Sequence, residues 1–378
     1  MSDCSINFCK DIKVVLFLTS PKGKSYFNIF NKMAETKRNV TPISDLGEFG
    51  LIDRITNKFK LRNQSTIKGI GDDAAVLDFK DKQLVVTTDL LTEGVHFNLM
   101  YTPLKHLGYK SIAVNVSDVV AMGATPSQVT VSLAVSSKFS VEAVEELYEG
   151  IYLACEAYGV DLVGGDTTTS LTGLTISVTA IGEAKPEDLV YRSGAKVTDL
   201  VCISGDLGGA YMGLHLLERE NEVFKVNPAQ QPMLEGYDYI LARQLKPEAR
   251  LDMLKVFSDL KIKPTSMIDI SDGLSSELKH ICKNSGVGAK IYEEKIPLDN
   301  QTKKMGNELN INPLVAALNG GEDYELLFTI PLADHDKVRN HPDITVIGHI
   351  VDASEGTLLV ASGGTEIVLT AQGWDPLK

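Results

Sequence analysis

Two hydrophobic periods alternate along the chain. Runs that alternate every second residue, or are continuously apolar over a few residues, predict strands at Ala74–Phe79, Leu84–Thr88, Val129–Val135, Leu174–Ile181, Leu200–Ile203, Met267–Ile270, Leu326–Ile330 and Thr345–Ile350. Helical spacing interrupts them. One helix is expected from Pro103 to Met122, opened by its proline and stopped at Gly123. A second is expected over Val141–Tyr158, where Val144, Leu147, Ile151, Ala154 and Tyr158 form one stripe between a Ser140 cap and a Gly159 stop. Further helices are expected at Leu274–Lys283 and around Ala210–Arg219 and Glu248–Leu260. Strands and helices mix without the strict beat of a doubly wound sheet, which predicts an α+β fold.

At 378 residues the chain exceeds the size at which one hydrophobic core keeps growing. Two domains follow, and the polar, turn-rich segment GEAKPEDLVYRSGAKVTD, Gly182 to Asp199, places their seam near Lys185. The expected division is 33–184 and 185–378, preceded by an extension over 1–32. That extension carries a short apolar run, VVLFL at Val14–Leu18, too short and without the cleavage site of a secretory signal. It reads as a disordered or non-native start, with the functional chain beginning near Met33.

A formal charge of −13 repels nucleic acid and anionic lipid alike, so neither is an expected partner. The five cysteines are scattered and contain no CxxC pair, which argues against a disulfide framework or a zinc site and fits a reducing cytoplasm.

The candidate chemistry lies in the aspartates. GIGDDAAVLD, Gly69 to Asp78, looks like a dinucleotide fingerprint, but the segment after it reads as strand rather than helix, and no GxxxxGK[ST] occurs in the chain. Asp89 ends a predicted strand in TTDLLTEGVHF, beside Thr87 and Thr88. Asn115 and Asp118 share one face of an otherwise apolar helix, where they would be costly unless satisfied. Asp166 stands in a VGGDTT turn, and Asp269, Ser271 and Asp272 occupy a strand-to-helix junction in SMIDISDGL. Any one of these is more often an ordinary turn, and SDG alone reads equally as a helix N-cap. Together with Asp72 and Asp73 they make a set of carboxylates able to converge, and hard oxygen donors without His or Cys specify Mg²⁺. Such acids repel one another and need cations. Glycine turns meanwhile let backbone N–H groups approach phosphate oxygens.

GIGDDAAV, TTDLLTEGVHF, AVNVSDVVAMGATP, GGDTT, YRSGA, DISDGL and GGEDYELLF stand in the order and approximate spacing of the thiamine-monophosphate kinases, within the aminoimidazole-ribonucleotide synthetase superfamily. The resemblance runs from about Leu46 to the C-terminus. It implies a two-domain synthetase-like fold: an N-terminal mixed sheet with helices that forms a barrel across a homodimer, and a C-terminal α/β sandwich-type domain. It also implies ATP-dependent conversion of thiamine monophosphate to thiamine diphosphate, assisted by several Mg²⁺ ions. By that resemblance Asp72, Asp73, Thr88, Asp89, Asp118, Asp166, Asp269, Ser271 and Asp272 hold metal. Gly71, Asp72, Thr88, Asn115, Gly164, Gly165, Asp166, Arg192 and Ser271 line the nucleotide. Asp118, Asp272 and Arg192 act in transfer, and His96, Asp89, Glu322 and Trp374 lie toward the acceptor. The chain departs from the family pattern in its long leader and its GWDPLK ending.

The implied reaction is direct in-line transfer to a phosphate oxygen, where positioning and charge neutralisation dominate. Related synthetases fit less well. Residues 56–68 contain no nucleophilic cysteine, and the ending contains none either. A non-catalytic sensor of the same ligands would have lost acids, and here the set is complete.

Overall fold

The structure, a computed structural model, describes residues 66–68 and 71–370. The extension over 1–32, the start near Met33, Gly69 and Trp374 lie outside the described residues.

The first half contains β1 (Thr66–Lys68), β2 (Ala75–Phe79), β3 (Lys82–Thr92), α1 (Leu104–Ala121), β4 (Thr125–Ser136), α2 (Val141–Tyr158), β5 (Asp161–Ser170) and β6 (Leu174–Ala184). Its strands form one six-stranded sheet in the order β1-β2-β3-β6-β4-β5, antiparallel except for the β4–β5 pair. The alternation seen in the sequence decides which face is covered. Leu174, Ile176, Val178 and Ala180 of β6 bury in a core shared with α1 and α2, while Thr175, Ser177 and Thr179 point the other way. Helix α2 has the expected ends: Ser140 Oγ accepts the Ala143 N–H at 3.2 Å, and Gly159 closes it in the left-handed region at φ 65°.

The second half comprises β7 (Leu200–Ser204), α3 (Gly209–Val226), α4 (Asp238–Leu245), α5 (Asp252–Leu260), β8 (Ser266–Asp269), α6 (Leu274–Ser285), β9 (Gly288–Tyr292), α7 (Asn300–Leu309), α8 (Pro313–Asn319), β10 (Leu326–Ile330), α9 (His335–Val338), β11 (Ile344–Val351), β12 (Thr357–Val360) and β13 (Glu366–Val368). The strands make a seven-stranded mixed sheet, β13-β12-β9-β11-β7-β10-β8. Both faces of its centre are covered, which is why LVCIS and LLFTI read as continuous apolar runs. Cys202, Met267 and Phe328 join the core of the first half, whereas Val201, Ile203, Ile268 and Leu327 pack with α6 on the opposite side. The chain is therefore α+β with mixed sheets and helices.

Two local expectations are corrected. VGGDTT is not a turn after a strand but the middle of β5, because its backbone pairs in parallel with β4, placing Asp166 opposite Ser132. Tertiary pairing here outweighs the turn preference of Gly-Gly-Asp. Nor is SDG a side-chain cap. Gly273 is the N-cap of α6 and no side chain caps it. Periodicity also did not reveal β1, β9, β12, β13, α4, α7 or α8, which are short, strongly polar or irregular in pattern. No helix among the described residues is long and apolar enough to cross a membrane.

Candidate active site

Strand β3, helix α1, strand β8 and the loops after them deliver their polar side chains to one cavity of about 870 Å³. Asp73, Thr88, Asp89, His96, Asp118, Arg192, Asp269, Ser271, Asp272 and Glu322 all line it. These residues come from both halves of the chain.

The acids converge most tightly at Asp73, Asp118 and Asp269, each offering an oxygen within 4.8 Å of the others. Every one has an assigned support. Arg192 donates from Nε and Nη2 to the two oxygens of Asp73 at 2.8 and 2.7 Å, a bidentate pair. Thr87 Oγ1 donates to Asp118 at 2.7 Å, and Ser117 Oγ donates to Asp269 at 2.6 Å. Asn115 answers the cost of a polar group in α1 from inside the protein. Its Oδ1 accepts the Asp89 N–H at 3.0 Å and its Nδ2 donates to the Ser111 carbonyl, so it fixes β3 against α1.

Electrostatics follow from this crowding. Burial pushes the Asp73 carboxyl up to about 7 against the opposing pull of Arg192. Asp269 is raised by burial to about 6, although Ser117 and Arg192 work to lower it. Asp118 is held well above the usual carboxylate range, first by burial and then by the charges of Asp89, Asp269 and Asp73. Three crowded carboxylates within 4.8 Å of one another, with no His or Cys among them, form an oxygen donor set that fits a hard divalent ion.

Around this centre lie the loops. Gly71 takes φ 111°, a conformation that side chains rarely adopt; Asp73 lines the cavity, whereas Gly71 and Asp72 do not. Asp72 Oδ1 accepts the Arg192 N–H at 3.2 Å, and its other oxygen lies 3.4 Å from Lys68. Thr88 faces the cavity but its hydroxyl donates to the Val178 carbonyl at 2.8 Å; the neighbouring Thr87 is the threonine that supports the acids. The Asp272 N–H donates to Glu277 Oε1 at 3.1 Å, within a buried first turn of α6.

A second neighbourhood of the same cavity contains His96, Tyr101, Tyr211, Glu218 and Glu322. His96 Nδ1 accepts the Thr92 N–H at 3.0 Å, so a neutral ring carries its hydrogen on Nε2. Burial lowers the His96 pKa, with Glu322 and Lys110 close enough for their charges to bear on the ring.

Not all expected residues meet here. Gly164, Gly165 and Asp166 lie on β5 and line a separate open groove with Tyr148. Asp166 is three strands from β3 in its sheet, roughly 14 Å at the usual strand spacing. Asn115 does not line the cavity. Conversely, Ser117, Lys110 and Gln244 were not singled out from sequence. Ser117 stands beside Asp118 in the same motif, and Lys110 is a charge within an otherwise buried helical stretch. Both were visible as polar residues in apolar surroundings; Gln244 offered no such contrast.

The family model described as AIR synthase related protein, N-terminal domain, matches residues 71–184, and its C-terminal counterpart matches 186–361. The thiamine-monophosphate kinase of Aquifex aeolicus is 40% identical over 319 residues, covering 84% of this chain and 95% of the relative. That of Bacillus subtilis is 35% identical, covering 88% of this chain and 100% of the relative. A solved structure of AaThiL complexed with AMPPCP and TMP superposes with a TM-score of 0.77 at 36% identity, covering 89% of this chain and 99% of that one. With both halves matched and the acidic cavity shared between them, the chain belongs to the thiamine-monophosphate kinase family of AIR synthase related proteins.

Proposed function

We propose that this protein is a kinase that transfers the γ-phosphoryl group of ATP to thiamine monophosphate, giving thiamine diphosphate. The observation that carries the reading is the convergence of Asp73, Asp118 and Asp269 within 4.8 Å in a cavity that also holds Arg192, His96 and Glu322. AMPPCP and TMP, named for the similar structure, support the same pair of substrates.

Both reactants are anions, so the work of the site is to let them approach in line. Asp72, Asp73, Asp89, Asp118, Asp269 and Asp272, with Ser271 and Thr88, would hold Mg²⁺, which would neutralise the phosphate oxygens and bring the two groups together. Arg192, whose planar donor fork now holds Asp73 at the cavity wall, is of the kind that would suit a phosphate. Thr87, Ser117 and Asn115 keep the carboxylates and β3 in place. The acceptor already exposes a charged phosphate oxygen near neutral pH, so no dedicated general base is required. His96 and Glu322 would receive the heterocyclic end, with Trp374 stacking on it.

Gly164, Gly165 and Asp166 enter this reading through a second copy. They sit on β5, a largely exposed edge strand, and a homodimer closing the sheets into a barrel would carry them to a nucleotide. The proposed units are 33–184 for nucleotide, metal and dimerisation, and 185–378 for completing the site, with 1–32 as an extension. A reducing cytoplasm suits the buried, unpaired Cys155, Cys202 and Cys282.

The deciding experiment incubates the protein with ATP, Mg²⁺ and thiamine monophosphate and follows thiamine diphosphate by chromatography. Product that disappears with EDTA is expected. Metal-dependent ATP hydrolysis without thiamine diphosphate would overturn the acceptor assignment.

A further inference from the structure

Lys110 is 3% exposed on α1, yet it bears a full ammonium group, and such groups are rarely buried without a specific partner. Its Nζ lies 2.8 Å from Glu322 Oε1 and donates to the Gln244 carbonyl at 3.3 Å. Gln244 Nε2 donates to the other oxygen of Glu322 at 3.1 Å. The three residues come from α1, α4 and the loop before β10, so the arrangement exists only when both halves of the chain are packed.

The backbone at Glu322 is also specialised. Glu322 and Tyr324 take φ of 57° and 51°, left-handed values that residues with a side chain rarely adopt. The conformation is held by Glu322 N–H to the Ser271 carbonyl at 2.7 Å and Tyr324 N–H to the Ile270 carbonyl at 2.9 Å. Its effect is to send Glu322 to the cavity while Asp323 and Glu325 turn inward, where Glu325 pairs with Arg243 and Arg250.

Within the arrangement of Lys110, Gln244 and Glu322, one buried atom remains unanswered. Gln244 Oε1 is buried in the cavity wall and has no hydrogen-bond partner, in a side chain only 7% exposed overall. The amide orientation is fixed by chemistry, since a carboxylate can only accept and Nε2 must therefore face Glu322. A buried acceptor without a donor is costly, and a ligand that supplies an N–H removes that cost. Lys110 meanwhile offsets the charge of Glu322 without using all of its lone pairs.

We infer that Gln244 Oε1 and Glu322 together read an amino group on the heterocycle of the acceptor, and that Lys110 is the positioning residue that holds Glu322 for this contact. The contact selects, among phosphate monoesters, those that carry an amino-bearing heterocycle. The inference rests on the thiamine monophosphate kinase reading and deepens it by naming what selects the acceptor.

The test is steady-state kinetics of the full chain with ATP and Mg²⁺ on two acceptors: thiamine monophosphate and its analogue with an oxo group replacing the pyrimidine amino group. The wild type is expected to prefer the amino form by about 100-fold or more in kcat/KM, as a site built to bind an N–H rejects the analogue lacking it. Gln244→Leu should cut that preference to about tenfold or less through the acceptor KM, leaving the ATP KM unchanged within about twofold. Lys110→Met should raise the acceptor KM about tenfold, the scale of one hydrogen bond to a charged group, and should add nothing in a Glu322→Gln background. Equal use of both acceptors by the wild type, or full preference retained by Gln244→Leu, would overturn the inference. So would a parallel rise in the ATP KM, or additive effects of Lys110→Met and Glu322→Gln. If Lys110→Met does not fold, the two-acceptor comparison in the wild type and Gln244→Leu still decides. A wild type that converts neither acceptor overturns the underlying reading and the inference with it.

Discussion

At the scale of single residues, the site is a set of carboxylates whose protonation is set by their neighbours. Asp118 meets Asp73 and Asp269 and is held by Thr87 at 2.7 Å. Asp118→Asn keeps the shape and removes the charge. It is expected to lower turnover by at least about 100-fold and to raise the Mg²⁺ concentration needed for half-maximal rate, read by metal titration of initial rates. Near-normal kinetics would remove Asp118 from the metal-holding set. The pH dependence has a definite sign. Asp73 is raised to about 7 and Asp269 to about 6 from a usual value of 3.8. The folded chain therefore retains protons that the unfolded chain has lost between about pH 4 and pH 7, and metal-free stability falls as pH rises through that window. Thermal melts in EDTA should show a lower Tm at about pH 7.5 than at about pH 5.5. Added Mg²⁺ should stabilise more at the higher pH, where the ligands release their protons more readily.

Elements determine which of these residues can meet. The loop before β10 and the loop after β8 lie against each other, and Gly321 makes that approach possible. It takes φ 71°, and a Cβ there would stand 2.3 Å from the Ser271 carbonyl oxygen. Gly321→Ala is expected to cost about 1–3 kcal/mol of stability and to raise the acceptor KM, because the strained turn that aims Glu322 would shift away from Ser271. Urea denaturation beside acceptor titrations checks both effects, and a variant as stable and active as the parent would show that the contact is dispensable. Much of this scale was legible in the sequence. Helix α2, from its serine cap to its glycine stop, and β10 fall at their expected boundaries, since capping and a short continuous apolar run are local properties. Strand β5 was not legible, because GGDTT is a turn by local preference and a strand only by pairing with β4.

For the whole molecule the open question of assembly centres on β5. It is the outer strand of its sheet, largely exposed, and carries Asp166 about 14 Å from the strand that presents Asp89. An exposed strand edge is a liability that a second copy would cover. Sedimentation equilibrium is expected to give twice the chain mass of 41.1 kDa; a species at 41.1 kDa that is fully active would overturn the dimer and leave Asp166 outside the site.

The sequence by itself determined most of the alternating elements, the α+β class and the acidic motifs, because hydrophobic period and turn chemistry act over a few residues. That Asp89 lies inside β3 and Asp166 inside β5, rather than at strand ends, was decided by strand pairing. Only the tertiary structure decided which acids share a cavity and what supports them. Ser117 reaches Asp269 across 152 positions, and Lys110 reaches Gln244 across 134. No local pattern encodes such pairs, since they follow from packing two sheets and their helices around one polar space.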